Sequence, residues 1–253
     1  MIDAAGPETG FEARYRVRFD EAGPDGRLRT SGLLRYTQDL AAQHSEALGY
    51  DRAWYAARGL TWLVRAAEID VSRPIPYGVN LVGTTRVAGF RRVWSRREST
   101  FLLDGTVVAA VRIDWVLLDR RGSPTRIPPE FEAFFPAGEP NAPIQLGRVT
   151  LDPAPEGAAR RTIEVRPQEL DPLDHVNNAV YADWFDEAVA AAEPDDSGVA
   201  HTLPRRVRLE YALAAEPAET LESVTWRDET GWASRIVRST SGADLLRARI
   251  EAG

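Results

Sequence analysis

The chain has 253 residues, 43% of them hydrophobic, and a formal net charge of −7; this supports one large domain or two small ones, each closing its core without covalent staples. Cysteine is absent, which excludes disulfides, thiolate metal sites and a cysteine nucleophile. All 31 basic residues are arginine, which excludes a P-loop or Schiff-base lysine, and an acidic chain with scattered arginines is a poor match to nucleic acid.

The first ten residues, MIDAAGPETG, have no basic start and no apolar run, so 1–10 reads as a frayed, disordered end rather than a signal peptide. Nothing approaches the roughly 20 apolar residues of a membrane span, and the expected location is the cytoplasm. Residues 13–19 alternate apolar and polar, as a half-buried strand does. An amphipathic helix over 31–48 follows, with Leu33, Leu34, Thr37, Leu40, Ala41 and Leu48 on its apolar face and Gly49 as its stop. Strands rich in β-branched and aromatic residues come next, over 60–71, 80–87, 94–103 and 107–118.

Eight prolines then fall between Arg120 and Arg161. They remove backbone donors and resist regular structure, so 136–160 reads as a linker, with the aromatic stretch 131–135 packing back on a domain. Beyond it the same order of elements returns. A strand over 161–166 leads to a helix beginning near Val176, where Val176, Val180, Trp184 and Ala188 form one apolar row and Tyr181, Phe185 and Val189 its neighbour; Pro194 ends it. Strands follow over 205–213, 221–228, 233–239 and 244–250. An ungapped overlay sets Tyr36 on Tyr181 and Leu40 on Phe185, and the repetition of element order predicts two like units, 11–135 and 161–253, of class α+β. A helix apolar on more than one row is expected to be wrapped by its sheet.

The run Asp171-Pro172-Leu173-Asp174-His175-Val176-Asn177-Asn178, followed by Tyr181, Trp184 and Glu187, resembles the signature of hotdog-fold thioesterases. The helix segment from Leu33 to Gln38, the Trp62-Leu63-Val64-Arg65 strand, the turn from Pro74 to Gly78, Trp94 and Leu209-Glu210-Tyr211 are similar to acyl-ACP thioesterases. That resemblance implies a double hotdog in one chain, packed as a pseudo-dimer, that hydrolyses fatty acyl groups from acyl carrier protein. It implies Asp171 as the catalytic carboxylate and His175 as the histidine of the catalytic network. Plant-type members carry an asparagine two residues before that histidine and a glutamate after the L-E-Y strand; Leu173 and Ala214 stand there in this chain.

Thioester hydrolysis needs an activated water or a carboxylate nucleophile, and donors for the negative charge on the carbonyl oxygen. Asp171 suits either carboxylate role, and helix amides starting near Val176 suit the second task. His175 can orient water, bond Asp171 or protonate the leaving thiolate. Asn177 can position water or cap the helix, and Val176 and Asn178 are candidate substrate contacts. Asp174 fits an N-cap, Tyr181 and Trp184 fit core, Glu187 a solvated face or salt bridge, and His44 a structural role; His201 is assigned none. The overlay sets Gly26 opposite Asp171 and Thr30 opposite His175, so one working site is expected, with the first half supplying walls for the acyl chain; Leu33, Trp54, Trp62 and Trp94 are pocket candidates, with core packing the other role for each. Arg86, Arg91, Arg92, Arg96 and Arg97 could attract an acidic carrier or simply face solvent along a strand pair. No cofactor and no metal are called for. The expected partner is a pantetheine-borne thioester, on acyl carrier protein or coenzyme A, and the chain is a monomer or a homodimer. An acyl-CoA thioesterase, a non-catalytic acyl-binding module and a dehydratase-like protein are the other readings.

Overall fold

The structure, a computed structural model, describes residues 10–134, 148–192 and 202–253. The expectations for 1–9, for the central part of the linker, and for Pro194 and His201 lie outside them. The first half runs β1 (Phe11–Arg16), α1 (Thr30–Ala47), α2 (Arg52–Arg58), β2 (Thr61–Val71), β3 (Asn80–Arg91), β4 (Trp94–Leu103) and β5 (Thr106–Leu118). The second runs β6 (Ala159–Glu164), α3 (Asn178–Ala192), β7 (Arg205–Tyr211), β8 (Thr220–Asp228), β9 (Gly231–Arg238) and β10 (Asp244–Ala252). The short helix α2 escaped the sequence reading. Asp51 caps it by accepting the Trp54 N–H at 2.7 Å, and Gly59, at φ 64, ends it.

All ten strands form one antiparallel sheet in the order β1-β3-β4-β5-β2-β7-β10-β9-β8-β6. The second five strands repeat the first five in mirror order, and β2 pairs with β7 at the seam, Ile69 opposite Val207 and Glu68 opposite Arg208. Each half curls round its long helix, the double hotdog expected. The apolar rows supply the reason: Leu33, Leu34 and Leu40 on α1 and Tyr181, Trp184, Phe185 and Val189 on α3 are buried in one core with Ile69, Phe101, Val207 and Leu209 from the sheet. Burying each such side chain contributes about 1.5–3 kcal/mol. Gly83 on β3 lets α1 close down, since a Cβ there would lie 2.9 Å from Leu40 Cδ1.

The chain enters each long helix by the same backbone path. In the first half Gly23 N–H bonds Arg27 O at 2.8 Å, Gly26 N–H bonds Gly23 O at 2.9 Å, and Arg29 N–H bonds Glu21 O at 3.0 Å. In the second, Asp171 N–H bonds His175 O at 2.8 Å, Asp174 N–H bonds Asp171 O at 2.9 Å, and Asn177 N–H bonds Glu169 O at 2.9 Å. Gly26 and Asp174 both adopt positive φ, 71 and 61. The structural overlay therefore sets Glu21 on Glu169, Gly23 on Asp171, Arg27 on His175 and Tyr36 on Trp184. It corrects the ungapped overlay, which set Gly26 on Asp171, Thr30 on His175 and Tyr36 on Tyr181. Two aromatic residues on one helix gave that overlay a false match; the hydrogen-bonded loops set the true one.

A glutamate ties each loop to its helix. Glu169 accepts from Arg166 N–H at 2.7 Å and from Trp184 Nε1 at 3.2 Å. Glu21, only 5% exposed, accepts from Arg18 N–H at 2.9 Å, from Arg18 Nη2 at 2.7 Å and from the Tyr36 hydroxyl. Removing a buried acceptor strands its donors. Glu21→Ala is expected to destabilise the fold by about 3 kcal/mol, read as a lower urea midpoint at unchanged slope; a change of less than about 1 kcal/mol would show that the bracket carries little.

Candidate active site

The loop from Asp171 to Asn177 is a small hydrogen-bonded cage. Asp171 Oδ1 accepts from the Leu173 N–H at 2.8 Å and from the His175 N–H at 3.4 Å, while the isolated bridge Leu170–Val176 closes the base. One carboxylate oxygen thus shapes the loop. No described residue donates to Oδ2, and Asp171 is half-buried. Asp171 and His175 meet through a backbone N–H, not through the ring as the sequence allowed, and the His175 side chain is exposed.

The helix starts later than expected, at Asn178 rather than Val176, and Asn177 rather than Asp174 is its cap. Asn177 Oδ1 accepts the Ala179 N–H at 2.9 Å, and its backbone O accepts the Val180 N–H at 2.9 Å. Asp174 cannot cap because it takes the left-handed turn position occupied by Gly26 in the other half. The amides of Leu173, Asp174, His175, Asn177, Ala179 and Val180 are consequently all engaged. Val176 is buried in the core, and Asn178 is tied through its carbonyl to the Tyr211 hydroxyl at 3.0 Å.

A cavity of about 420 Å³ opens beside this loop, a size suited to a small molecule. Leu173, 46% exposed, stands at its mouth. Its walls come from the first half: Gln38, Ala41 and Ala42 on α1, Tyr55 on α2, Trp62 on β2, Val87 and Phe90 on β3, and Trp115 on β5. Behind them an aromatic cluster joins Tyr50, Trp54, Trp62 and Phe90 round Phe131, which is fully buried. Phe131 thus packs back on the domain as its sequence suggested.

Trp62 lines the cavity. Trp94 does not: on β4 the cavity takes Ser95 and Arg97, and strand alternation turns Trp94 to the other face. Trp54 stands behind the wall with Arg58 stacked on it at 3.9 Å, and Leu33 lines a different cavity. The arginine cluster is dispersed. Arg86 pairs with Glu98 at 2.9 Å, Arg96 pairs with Asp114 at 2.6 Å, and Arg97 is buried with Nη1 2.8 Å from His44 Nδ1. Of the other residues weighed, Glu187 pairs with Arg161 at 2.6 Å, and Ala214 offers only its carbonyl, to Arg238.

Gln38 was missed. It sits where the apolar row of α1 is interrupted, four residues after Leu34 and three before Ala41, and a polar residue at a core-facing helix position is the signal that could have found it. Its Oε1 accepts from Asn177 Nδ2 at 3.4 Å, which joins the motif loop to the facing helix.

The matching place in the other half holds a larger cavity of about 870 Å³, between Gly23, Asp25 and Arg27 on the first loop and Asp183 and Asp186 on α3. Gly23 and Arg27 stand there where the second half has Asp171 and His175. Burial pushes the Asp186 carboxyl up to about 6, opposed by Arg205 and Arg29 and reinforced by Asp183, with a Thr30 hydrogen bond also lowering it. Among the described residues no group of histidines and carboxylates could hold a metal ion.

His44 titrates the opposite way. Arginine always donates, so Nδ1 accepts and the ring is neutral; burial and then Arg97 lower its pKa to about 4. A histidine depressed in the fold is uncharged there while the unfolded chain binds protons below about 6.5, so its stabilisation is present above that pH and lost as pH falls towards 4. A carboxyl raised to about 6 costs stability as pH rises from about 4 to 6. Asp186→Asn is expected to raise the thermal midpoint at pH 7 but not at pH 4, and His44→Gln to flatten the loss between pH 6.5 and 4. Parallel pH series of thermal unfolding read both; equal shifts at every pH would exclude the titration.

Comparison with known proteins finds two family models. The acyl-ACP thioesterase N-terminal domain matches residues 8–135 and the acyl-ACP thioesterase C-terminal domain matches residues 154–251. A curated relative, the chloroplastic acyl-[acyl-carrier-protein] hydrolase FATB2 of Cuphea viscosissima, is 22% identical over 95% of this chain, which spans 62% of that protein's length. Among solved structures, an acyl-ACP thioesterase from Bacteroides thetaiotaomicron superposes with a TM-score of 0.80 at 14% identity, covering 96% of this chain and 97% of that one. The 12:0-ACP thioesterase from Umbellularia californica superposes at 0.79 and 21% identity, covering 99% and 98%. At these identities the superpositions speak for the fold. With both halves matched by the two domain models, the chain belongs to the acyl-ACP thioesterase family.

Proposed function

We propose that this chain hydrolyses fatty acyl thioesters borne on acyl carrier protein, releasing a free fatty acid. The observation that carries the reading is the asymmetry of two like loops: the one bearing Asp171 and His175 places Leu173, between them, on the wall of the cavity with aromatic and aliphatic walls. The acyl chain lies in that cavity among Trp62, Val87 and Phe90, and the pantetheine arm leaves past Leu173. Asp171 accepts a proton from water on Oδ2 as the water oxygen bonds to the carbonyl carbon and the carbonyl electron pair moves onto oxygen. Collapse of the tetrahedral species breaks the carbon–sulfur bond, and the proton returns from Asp171 to the departing thiolate. His175, exposed beside it, orients the water. The tandem already supplies the pairing of two sheets, so one chain is the working unit. No helix among the described residues is long and apolar enough to cross a membrane, and a cysteine-free chain suits the cytoplasm, where fatty acid synthesis supplies such thioesters.

Purified protein incubated with acyl-ACPs of graded chain length is expected to release fatty acid; silence across the panel sinks the reading, and faster turnover of matched acyl-CoAs would transfer it to the other carrier. Asp171→Asn is expected to lower kcat more than about tenfold, about 1.4 kcal/mol of barrier. Unchanged hydrolysis would remove Asp171 from the mechanism and leave the activity standing.

A further inference from the structure

The motif loop and the cavity meet at one residue. Among the described residues Leu173 alone brings the second half of the chain into the cavity wall. Its N–H bonds Asp171 Oδ1 at 2.8 Å, so its side chain leaves the backbone one atom away from the group that holds the carboxylate. At 46% exposure that side chain is open to a ligand rather than sealed by packing. A thioester whose carbonyl is hydrolysed by Asp171 and whose tail lies in the cavity has to pass it. The carbons that pass it are those next to the carbonyl.

The polarity of the wall changes along α1. The Asn177–Gln38 contact sets the motif loop at the Gln38 end. There Gln38 has nothing to offer a ligand: Oε1 accepts from Asn177, and Nε2 is closed off from any water-sized atom. Ala41 and Ala42 continue the wall, the Leu173 N–H is spent on Asp171, and the exposed His175 is not in the lining. Polar groups gather two turns, about 11 Å, further on, at Ser45 and Glu46. Ser45 hydrogen-bonds the Tyr55 hydroxyl there, and Arg97 acts on the same phenol. An oxygen on the chain would find partners at that far end and a leucine at the near one.

We propose that Leu173 is a specificity residue that selects the oxidation level of the substrate: it favours thioesters with no oxygen on the carbons next to the carbonyl over their 3-hydroxy and 3-oxo counterparts. The proposal rests on the thioesterase reading above. A hydroxyl or keto oxygen set against the leucyl methyl groups gives up its water without gaining a partner. An apolar wall of this kind discriminates against an added hydroxyl by up to about 10²-fold. A carrier on which a chain is being built bears it at each of these oxidation levels in turn, and hydrolysis at the oxygenated ones would release unfinished chains. The class of reaction that removes that oxygen, a dehydration, then comes before this one.

The test uses full-length protein and acyl-ACPs of the chain length that it hydrolyses fastest, in unsubstituted, 3-hydroxy and 3-oxo forms and in a form hydroxylated near the far end of the chain. Wild-type protein is expected to show kcat/KM about 10–10² higher for the unsubstituted chain than for the 3-hydroxy or 3-oxo chain. Leu173→Asn places a donor and an acceptor where the methyl groups stood. It is expected to cut that preference about tenfold and to leave the preference measured with the far hydroxyl as it was. A purely structural loss would slow every chain alike and leave both ratios unmoved. A wild-type preference near unity, a preference that Leu173→Asn does not change, or equal changes for near and far hydroxyls each overturn the proposal, while turnover of the unsubstituted chain keeps the enzyme reading intact. Absence of wild-type turnover on every chain would fell the reading itself. Should Leu173→Asn hydrolyse nothing, the same ratio is read as binding of unreactive ketone analogues, with CH₂ in place of sulfur, with and without the 3-hydroxyl; equal ratios in wild-type and variant protein then overturn the proposal.

Discussion

β2 and β7 meet as neighbouring antiparallel strands at the middle of a ten-stranded sheet, and the position of every other functional piece follows from that contact. Two five-stranded sheets curled round separate helices would each leave an open edge, and an exposed edge is a template for misassociation. Joining the edges removes both and lays α1 against α3, where Arg35 and Asp183 meet at 3.0 Å. Once the helices lie side by side, the loop entering one helix faces the flank of the other. Each cavity is therefore composed of a loop from one half and a helix from the other, and a site that needs both can exist only in the joined pair.

Symmetry of backbone combined with asymmetry of side chains makes the two places chemically unlike. The two loops share their hydrogen bonds and their left-handed residue, Gly26 or Asp174. Identical backbone demands leave the other positions free to diverge. Gly23 and Arg27 in one loop and Asp171 and His175 in the other occupy equivalent places, and on the facing helices Asp186 answers Gln38. The cavities differ in lining: the larger, at about 870 Å³, is ringed by charged groups and holds the half-buried Asp186 carboxyl, while the smaller, at about 420 Å³, has an aromatic wall.

The sheet and the two long helices could be read from the sequence because burial writes its period into the side chains. Leu33, Leu34 and Leu40, or Val180, Trp184 and Ala188, recur at helical spacing because one side of each helix meets the core. The seven-residue α2 carried no such pattern: none of its residues is buried, and its marks are a single capping Asp51 and a terminal Gly59. Strand faces were readable only up to irregularities. The bulge between Val64 and Ala66 inverts the alternation in β2, so Trp62 and Ile69 come to face the same side. Within the motif, composition could not tell which of Asp174 and Asn177 would cap the helix, since both types favour that position; the left-handed turn at Asp174 decided it. Gln38 was invisible as a motif because its meaning depends on Asn177, brought to it by the fold rather than by the chain.

The charges, conspicuous in the composition, act on the other face. Glu68, Asp70, Arg86, Arg96, Glu98 and Arg112 form pairs across β2 to β5, and Arg206 and Arg208 continue them into the second half through Asp70 and Glu251. The linker crosses this face too: Val149 is buried and its N–H bonds Glu210 at 2.8 Å. Apart from the bidentate Arg96–Asp114 pair, whose carboxylate is buried, these are partly exposed pairs of a kind that contributes about 0–1 kcal/mol each. Their effect is on register, because a one-residue slip at the seam would set Glu68 and Asp70 against the apolar core and Ile69 against the arginines. Register at the seam in turn decides which residue of α1 faces Asn177. The outer charges and the inner site are coupled through that one alignment: setting Glu68 and Asp70 against the core penalises the slipped arrangement in which Gln38 and the motif loop would no longer meet.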